Sequence, residues 1–216
     1  MKIIQTEDNS HSLFSEQYKE NYHSIFGAIA ESQHIFIEAG FNEIKKKDIC
    51  IFEMGLGTGL NAFLTMQHAT KYNKQIYYIG IEKHPVPANV YSQMNYAQVL
   101  SLEESYFQKI HTSLWEQETP ITANFILHKT AQDIQRFSHQ QQYDLVYFDA
   151  FSPDIQPELW TKNIFEPIFN HMNKGALLLT YSVKGIVKRA LKEVGFVIEK
   201  IPGPKGKREI LRAYKK

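Results

Sequence analysis

The chain has 216 residues, 43% of them apolar and 13% aromatic, which is enough to bury one sizeable core and points to a single globular unit. It contains no run of about 18 apolar residues and no basic-then-apolar start, so neither a membrane-spanning helix nor a secretory signal is expected, and the protein reads as cytoplasmic with no membrane partner. A single cysteine, Cys50, excludes an internal disulfide and a cysteine-rich zinc site, while the net charge of +1 hides a division: residues 184–216 carry eleven Lys and Arg against three Glu, a local +8 on a body of −7.

Residues 1–48 begin with a strand-like stretch and continue into SIFGAIAESQHIFIEAGF, whose apolar residues recur at about helical spacing. This part is expected to be an extension packed on the core, with residues 49–216 forming the main domain. From Ile49 onward, short apolar runs rich in β-branched and aromatic residues alternate with helical patterns. Strands are expected at Ile49 to Met54, Gln75 to Glu82, Asn124 to Lys129, Tyr143 to Asp149 and Ala176 to Ser182. Helices are expected at Leu60 to Lys71, Val86 to Leu100, Ala131 to Phe137 and Thr161 to Met172, the last distorted or ended by Pro167. A further helix, VKGIVKRALKEVG, closes on Gly195. The strands FVIEKI and EILRAY then flank PGPKGKR and read as a hairpin with a basic tip. The alternation implies an α/β fold with a mainly parallel, seven-stranded, Rossmann-like sheet ending in an antiparallel hairpin, the recurring build of class I methyltransferases.

The first strand runs directly into EMGLGTGLN, Glu53 to Asn61. Gly55, Gly57 and Gly59, flanked by Met54 and Asn61, stand between a buried strand and a helix, where a backbone free of side chains lets a ligand approach the carboxyl end of a sheet. The dinucleotide form of such a loop is GxGxxG, which would need glycine where Leu60 stands. The ammonium and sulfonium of S-adenosyl-L-methionine favour a nearby carboxylate such as Glu53, whereas a pyrophosphate would not. An ordinary tight turn is the competing explanation, but three alternate glycines after an acid exceed what a turn requires. Glu82, ending the next strand, fits the place of a ribose-binding acid. After the third strand, Asp133 is the candidate for the adenine edge, with Thr130 as the alternative.

Strand four ends in YFDAFSPDIQPELWT, which puts Asp149 at the mouth of the sheet beside the glycine loop. Phe151, Ser152 and Pro153, with Trp160, offer rigid and aromatic walls for a flat base or an alkyl amine. Methyl transfer from a sulfonium is an in-line displacement that requires a neutral nucleophile, and Asp149 is placed to orient an amine or take up its proton. The nine histidines show no paired ligand spacing, so no metal is expected.

EMGLGTGLNAFLT, DLVYFDAFSPDIQPELWTKNIF, GIVKRALKEVGFVIEKIPGPKGKREIL and the early YHSIFGAIAESQHIFIEAGF together resemble the methyltransferase half of the bifunctional tRNA-modifying MnmC family and the stand-alone enzymes related to that half. The resemblance implies methylation of an aminomethyl group on the wobble uridine, often 2-thiolated, in the anticodon region of tRNA. By motif position it implies cofactor contacts at Glu53, Gly55, Gly57, Gly59, Asn61 and Glu82, with Asp149 in the active site. The chain departs from the bifunctional members in stopping at Lys216, so no FAD-dependent oxidase half is expected in it and a separate enzyme is expected to supply the aminomethyl substrate. The family's usual glycine and aspartate after strand three are missing here. Lys205, Lys207 and Arg208 at the hairpin tip are expected to hold the tRNA backbone, with Lys184, Lys188 and Arg189 as further candidates. Two rival readings are an aminopropyltransferase of the spermidine synthase type, which would not need a basic tip, and a non-catalytic RNA- or partner-binding protein, which would not need Glu53, the glycines and Asp149.

Overall fold

A computed structural model describes Met1–Lys216. Three short strands, β1 (Lys2–Gln5), β2 (His11–Ser15) and β3 (Glu20–Asn21), pair as a small antiparallel sheet. Helix α1 (Ala28–Ser32) continues into a π-helical segment, Gln33–Glu38. The wider π turn explains a feature that helical periodicity does not: Ile35, Phe36 and Ile37 are consecutive and all three are buried. They share one core cluster with Leu13, Leu60 and Phe63, so residues 1–48 bury apolar surface against the main sheet.

The main sheet follows from β4 (Asp48–Met54), β5 (Gln75–Ile81), β6 (Glu118–Thr122), β7 (Phe125–Thr130), β8 (Tyr143–Phe148), β9 (Met172–Thr180), β10 (Val197–Pro202) and β11 (Glu209–Tyr214). Its order is β10-β11-β9-β8-β4-β5-β7-β6, parallel through β9, β8, β4, β5 and β7 and antiparallel at both edges. Successive residues face opposite layers. In β4, Ile49 and Ile51 join the core under α2 (Leu60–Lys71), while Phe52 joins the opposite core with Val146 and Phe148 of β8. Chain order reverses at β4, between β5 on one side and β8 on the other, and that is where an open α/β sheet leaves a crevice at its carboxyl edge.

The structure departs from the sequence reading in five places, one of them β9, which begins at Met172, four residues before the expected Ala176. The sheet has an eighth strand, β6, whose polar ETPIT sequence contains Pro120, a residue tolerated only at an edge. The stretch expected to be one helix from Val86 to Leu100 is two, α3 (Ala88–Tyr91) and α4 (Tyr96–Leu100), and α5 (Glu104–Thr112) follows. Ala131 to Phe137 contains only a 3-10 turn at Ile134–Arg136, begun by the Asp133 side chain accepting from the Gln135 N–H at 3.0 Å. Helix α6 (Lys162–Asn170) runs through Pro167, which removes one backbone donor only three residues before the helix ends. Helix α7 (Gly185–Val194) closes on Gly195 in the left-handed region, φ 114°, as its sequence suggests. No helix is long and apolar enough to cross a membrane.

Candidate active site

The glycine loop leaves β4 and the DAFSP string leaves β8, and the two are locked together. The Asp149 N–H donates to the Met54 carbonyl at 2.9 Å. Gly55 has φ 88°, and a Cβ there would stand 2.6 Å from the Asp149 carbonyl oxygen, so only glycine fits. Gly57, at φ 48°, lies against the Tyr22 ring, and its N–H donates to Glu82 Oε2 at 3.0 Å. The carboxylate at the end of β5 is thereby aimed across the loop; burial raises its pKa while bonds from the His84 and Gly57 N–H groups oppose the shift.

A cavity of about 510 Å³ opens at this edge, within the range of small-molecule sites. Met54, Gly55, Gly57, Glu82, Asp133, Asp149 and Phe151 all line it. Asp133 is held by Lys83 at 2.8 Å, which together with the Gln135 N–H lowers its pKa. Thr130 is buried and bonded to Glu116 at 3.0 Å, so of the two adenine-edge candidates only Asp133 faces the cavity.

Glu53, Gly59 and Asn61 lie behind this wall. Glu53 is fully buried, its carboxylate accepting from the Tyr78 hydroxyl at 2.7 Å and from Asn61 Nδ2 at 2.8 Å. Burial holds its pKa well above the usual carboxylate range, with those two bonds pulling the other way. The same Asn61 nitrogen donates to Asp149 Oδ2 at 2.9 Å, so Asn61 bridges the loop's acid to the acid in the cavity. Its own Oδ1 is buried without a partner. Asp149 is pushed up to about 7, first by burial and then by the Glu31 charge, against the pull of Asn61 and Lys207.

The other predicted wall residues separate. Phe151 packs on Tyr18 and Tyr22, with ring centroids 4.7 and 5.0 Å away. Ser152 and Pro153 are outside the cavity lining; the Ser152 N–H donates to Glu20 at 3.0 Å and Pro153 is buried. Trp160 is fully buried and braces the loop by donating to the Phe151 carbonyl at 2.9 Å. At the hairpin tip, Lys205 pairs with Glu7 and Lys207 turns inward to Glu31 at 2.8 Å, lining the cavity, while Arg208 is exposed. Lys184 pairs with Asp154. Lys188, Arg189, Lys192 and Lys200 line a separate groove between α7 and β10. No cluster of three or more His, Cys, Asp or Glu is placed to hold a metal ion.

The sequence of residues 93–216 matches the family of S-adenosyl-L-methionine-dependent methyltransferases. The chain belongs to that family. S-adenosyl-L-methionine is therefore the cofactor of this methyltransferase, and the cavity's residues suit it: a carboxylate beside a side-chain-free loop, an acid at β5, and Ile81 and Ile134 near Asp133 for a flat base. The bifunctional protein MnmC for tRNA 5-methylaminomethyl-2-thiouridine biosynthesis from Leptospira interrogans is 28% identical over 94% of this chain and 34% of its own length. The protein of the same name from Ralstonia nicotianae is 30% identical over 91% of this chain and 32% of its own length. The methyltransferase thus spans about a third of the curated relatives it matches. The crystal structure of MNMC2 from Aquifex aeolicus superposes on 100% of this chain and 70% of its own, with a TM-score of 0.83 at 24% identity, and shares the fold.

The sequence reading missed one wall of the cavity. Tyr18, Glu20, Tyr22 and Glu31 come from the segment before β4, and Tyr181 from the end of β9. Tyr22 and Glu31 fall in the early string YHSIFGAIAESQHIFIEAGF, but nothing in that string singles them out as wall residues. The sequence signal was an amphipathic N-terminal stretch that must pack somewhere on the sheet.

Proposed function

We propose that the methyltransferase acts on tRNA, converting the primary amine of a 5-aminomethyl group on the wobble uridine to the methylamine. The observation that carries this reading is Asp149: an acid raised to about 7, held by Asn61, in a cavity it shares with the glycine loop. The names of the relatives support the same substrate class. Residues 1–48 and 49–216 act as one domain in this reading, because the cavity takes walls from both.

Gly55, Gly57 and Glu82 would hold the cofactor's amino acid and ribose portions, and Asp133 its base. Glu53 acts behind them by fixing Asn61. When bound, S-adenosyl-L-methionine supplies a methyl group on a sulfonium, open to in-line attack. An alkylammonium with a pKa of about 10 must shed a proton before it can act as nucleophile. Asp149, ionised above about 7, accepts that proton at Oδ1 while Oδ2 stays on Asn61. Phe151, fixed by Tyr18 and Tyr22, offers an apolar face beside the acceptor and excludes water.

An aminopropyltransferase would also use the acids of this cavity, but membership of the methyltransferase family favours methyl transfer. The test is purified protein, labelled S-adenosyl-L-methionine and tRNA carrying 5-aminomethyl-2-thiouridine, with nucleoside mass spectrometry of the product. A methylaminomethyl nucleoside is expected. Label entering unmodified tRNA equally well, or no label entering either, overturns the substrate.

A further inference from the structure

The cavity already contains a primary ammonium. Lys207, on the tip of the β10–β11 hairpin, reaches back so that Nζ is 2.8 Å from Glu31 Oε1 and 5.2 Å from the centre of the Tyr181 ring. The tip is seated there by its surroundings. Gly206 packs so closely on Phe26 that a Cβ would stand 2.1 Å from the ring, and His34 donates to the Pro202 carbonyl at 2.9 Å. Glu31 is 9% exposed, and its other oxygen accepts from the Ser24 N–H at 2.7 Å. The Tyr181 hydroxyl is tied to the Ala150 carbonyl at 2.8 Å, which fixes the ring beside the Asp149 loop.

A buried carboxylate and an aromatic face around a –NH₃⁺ are the ingredients of a cation site. We propose that Glu31 and the face of Tyr181 are the recognition subsite for the acceptor's primary ammonium, and that Lys207 occupies it as an internal stand-in until substrate displaces it. This rests on the acceptor being an amine. The exchange replaces one ammonium by another, so Glu31 is never left buried and unpaired. A hydroxyl acceptor would leave it so, which makes Glu31 a specificity residue for nitrogen over oxygen. Bound there, the amine stands in the same cavity as Asp149, which then takes its proton.

The test uses the intact protein with S-adenosylhomocysteine bound and lysine side chains carrying ¹³C, the Lys207 signal being assigned by its loss in Lys207→Arg. Titration with methylammonium chloride should move the Lys207 signal to the position of a free lysine, while methanol and potassium chloride at equal concentration should not. In Glu31→Gln, which keeps an acceptor for the Ser24 N–H, methylammonium should have no such effect. With aminomethyl-bearing tRNA, Glu31→Gln should raise KM about tenfold, the size of one charge-assisted hydrogen bond, with kcat within about twofold. Its S-adenosylhomocysteine affinity should match that of the parent. A Lys207 signal indifferent to methylammonium, or moved equally by potassium, overturns the subsite. If the parent protein fails to methylate aminomethyl tRNA, the proposed substrate falls, and the methylammonium titration still decides the subsite.

Discussion

At the scale of single residues, the role proposed for Asp149 ties activity to stability. Its carboxyl is raised from 3.8 to about 7, so across that window the folded protein keeps a proton that the unfolded chain has lost. The folded state therefore loses stability as pH rises from about 4 to about 7, and above that it carries an ionised acid that burial disfavours. Asp149→Asn should remove the proton acceptor, lowering kcat by about 10²-fold or more, and should raise unfolding free energy at pH 8 by about 1–2 kcal/mol in urea titration. In the parent enzyme the rate should climb with pH through about 7 as Asp149 ionises, and a flat profile would remove it from the proton path. Gly55→Ala meets the Asp149 carbonyl in a left-handed backbone and should weaken cofactor binding, measured by calorimetry, more than it lowers the melting temperature. Asp149, the glycines and Glu82 were legible in the sequence because loop position and residue type fix their place at the sheet edge. Glu31 and Tyr22 were not, since their role arises only when a distant segment folds over the crevice. Glu53 shows a middle case: the acid was visible, but its burial behind Asn61 depends on Tyr78 of the neighbouring strand.

Among the elements, β4, β5, β7 and β8 were readable to within a residue, because a continuous β-branched and aromatic run has few other uses, whereas the polar start of β9, Met172 to Gly175, hid its first four residues. β6 was not, since an edge strand need not be apolar and Pro120 disguises it. The paired short helices α3 and α4 and the turn at Ile134–Arg136 escaped because helical spacing over one or two turns carries little information. The segment before β4 depends on Asp8, whose Oδ1 accepts from the Ser10 N–H at 3.0 Å and whose Oδ2 accepts from the Ala30 N–H at 2.9 Å. Burial pushes the Asp8 pKa up, but these bonds, with those from the Ser10 and Thr6 hydroxyls, prevail and lower it. Asp8→Ala should therefore cost about 1–3 kcal/mol in denaturant unfolding and loosen the Tyr18–Glu31 wall, seen as faster amide exchange there than in β4. Phe36→Ala, in the π-helical segment, should cost about 3–5 kcal/mol, because Phe36 is buried against Tyr147.

For the whole molecule, the division of charge seen in the sequence resolves into two sets of cations. Lys205 and Lys207 are paired with Glu7 and Glu31, while Arg208 is exposed and Lys188, Arg189, Lys192 and Lys200 line the groove between α7 and β10. Among these, Lys200 is itself paired with Glu209 at 2.7 Å. If tRNA phosphates meet this face, Lys188→Ala, Arg189→Ala and Lys192→Ala combined should flatten the dependence of log K on log salt by about 0.7–0.9 for each phosphate that the protein no longer neutralises. Lys205→Ala alone should leave that slope unchanged. Parallel slopes for the triple variant and the parent protein would exclude the groove from binding.

The closure of the cavity by the hairpin tip against the segment before β4 predicts when this protein becomes able to work. The His34–Pro202 bond joins groups 168 positions apart, and the tip that meets Phe26 and Glu31 is carried by β11, which pairs with β9. A chain emerging from the ribosome can assemble β4, α2, β5 and β8 early, yet the crevice stays open to water on one side until the hairpin has been synthesised and docked. Catalytic competence should thus appear as the last event of folding, after the central strands have gained full amide protection, and a pulse-labelling experiment during refolding should find the tip and residues 18–31 protected together and late.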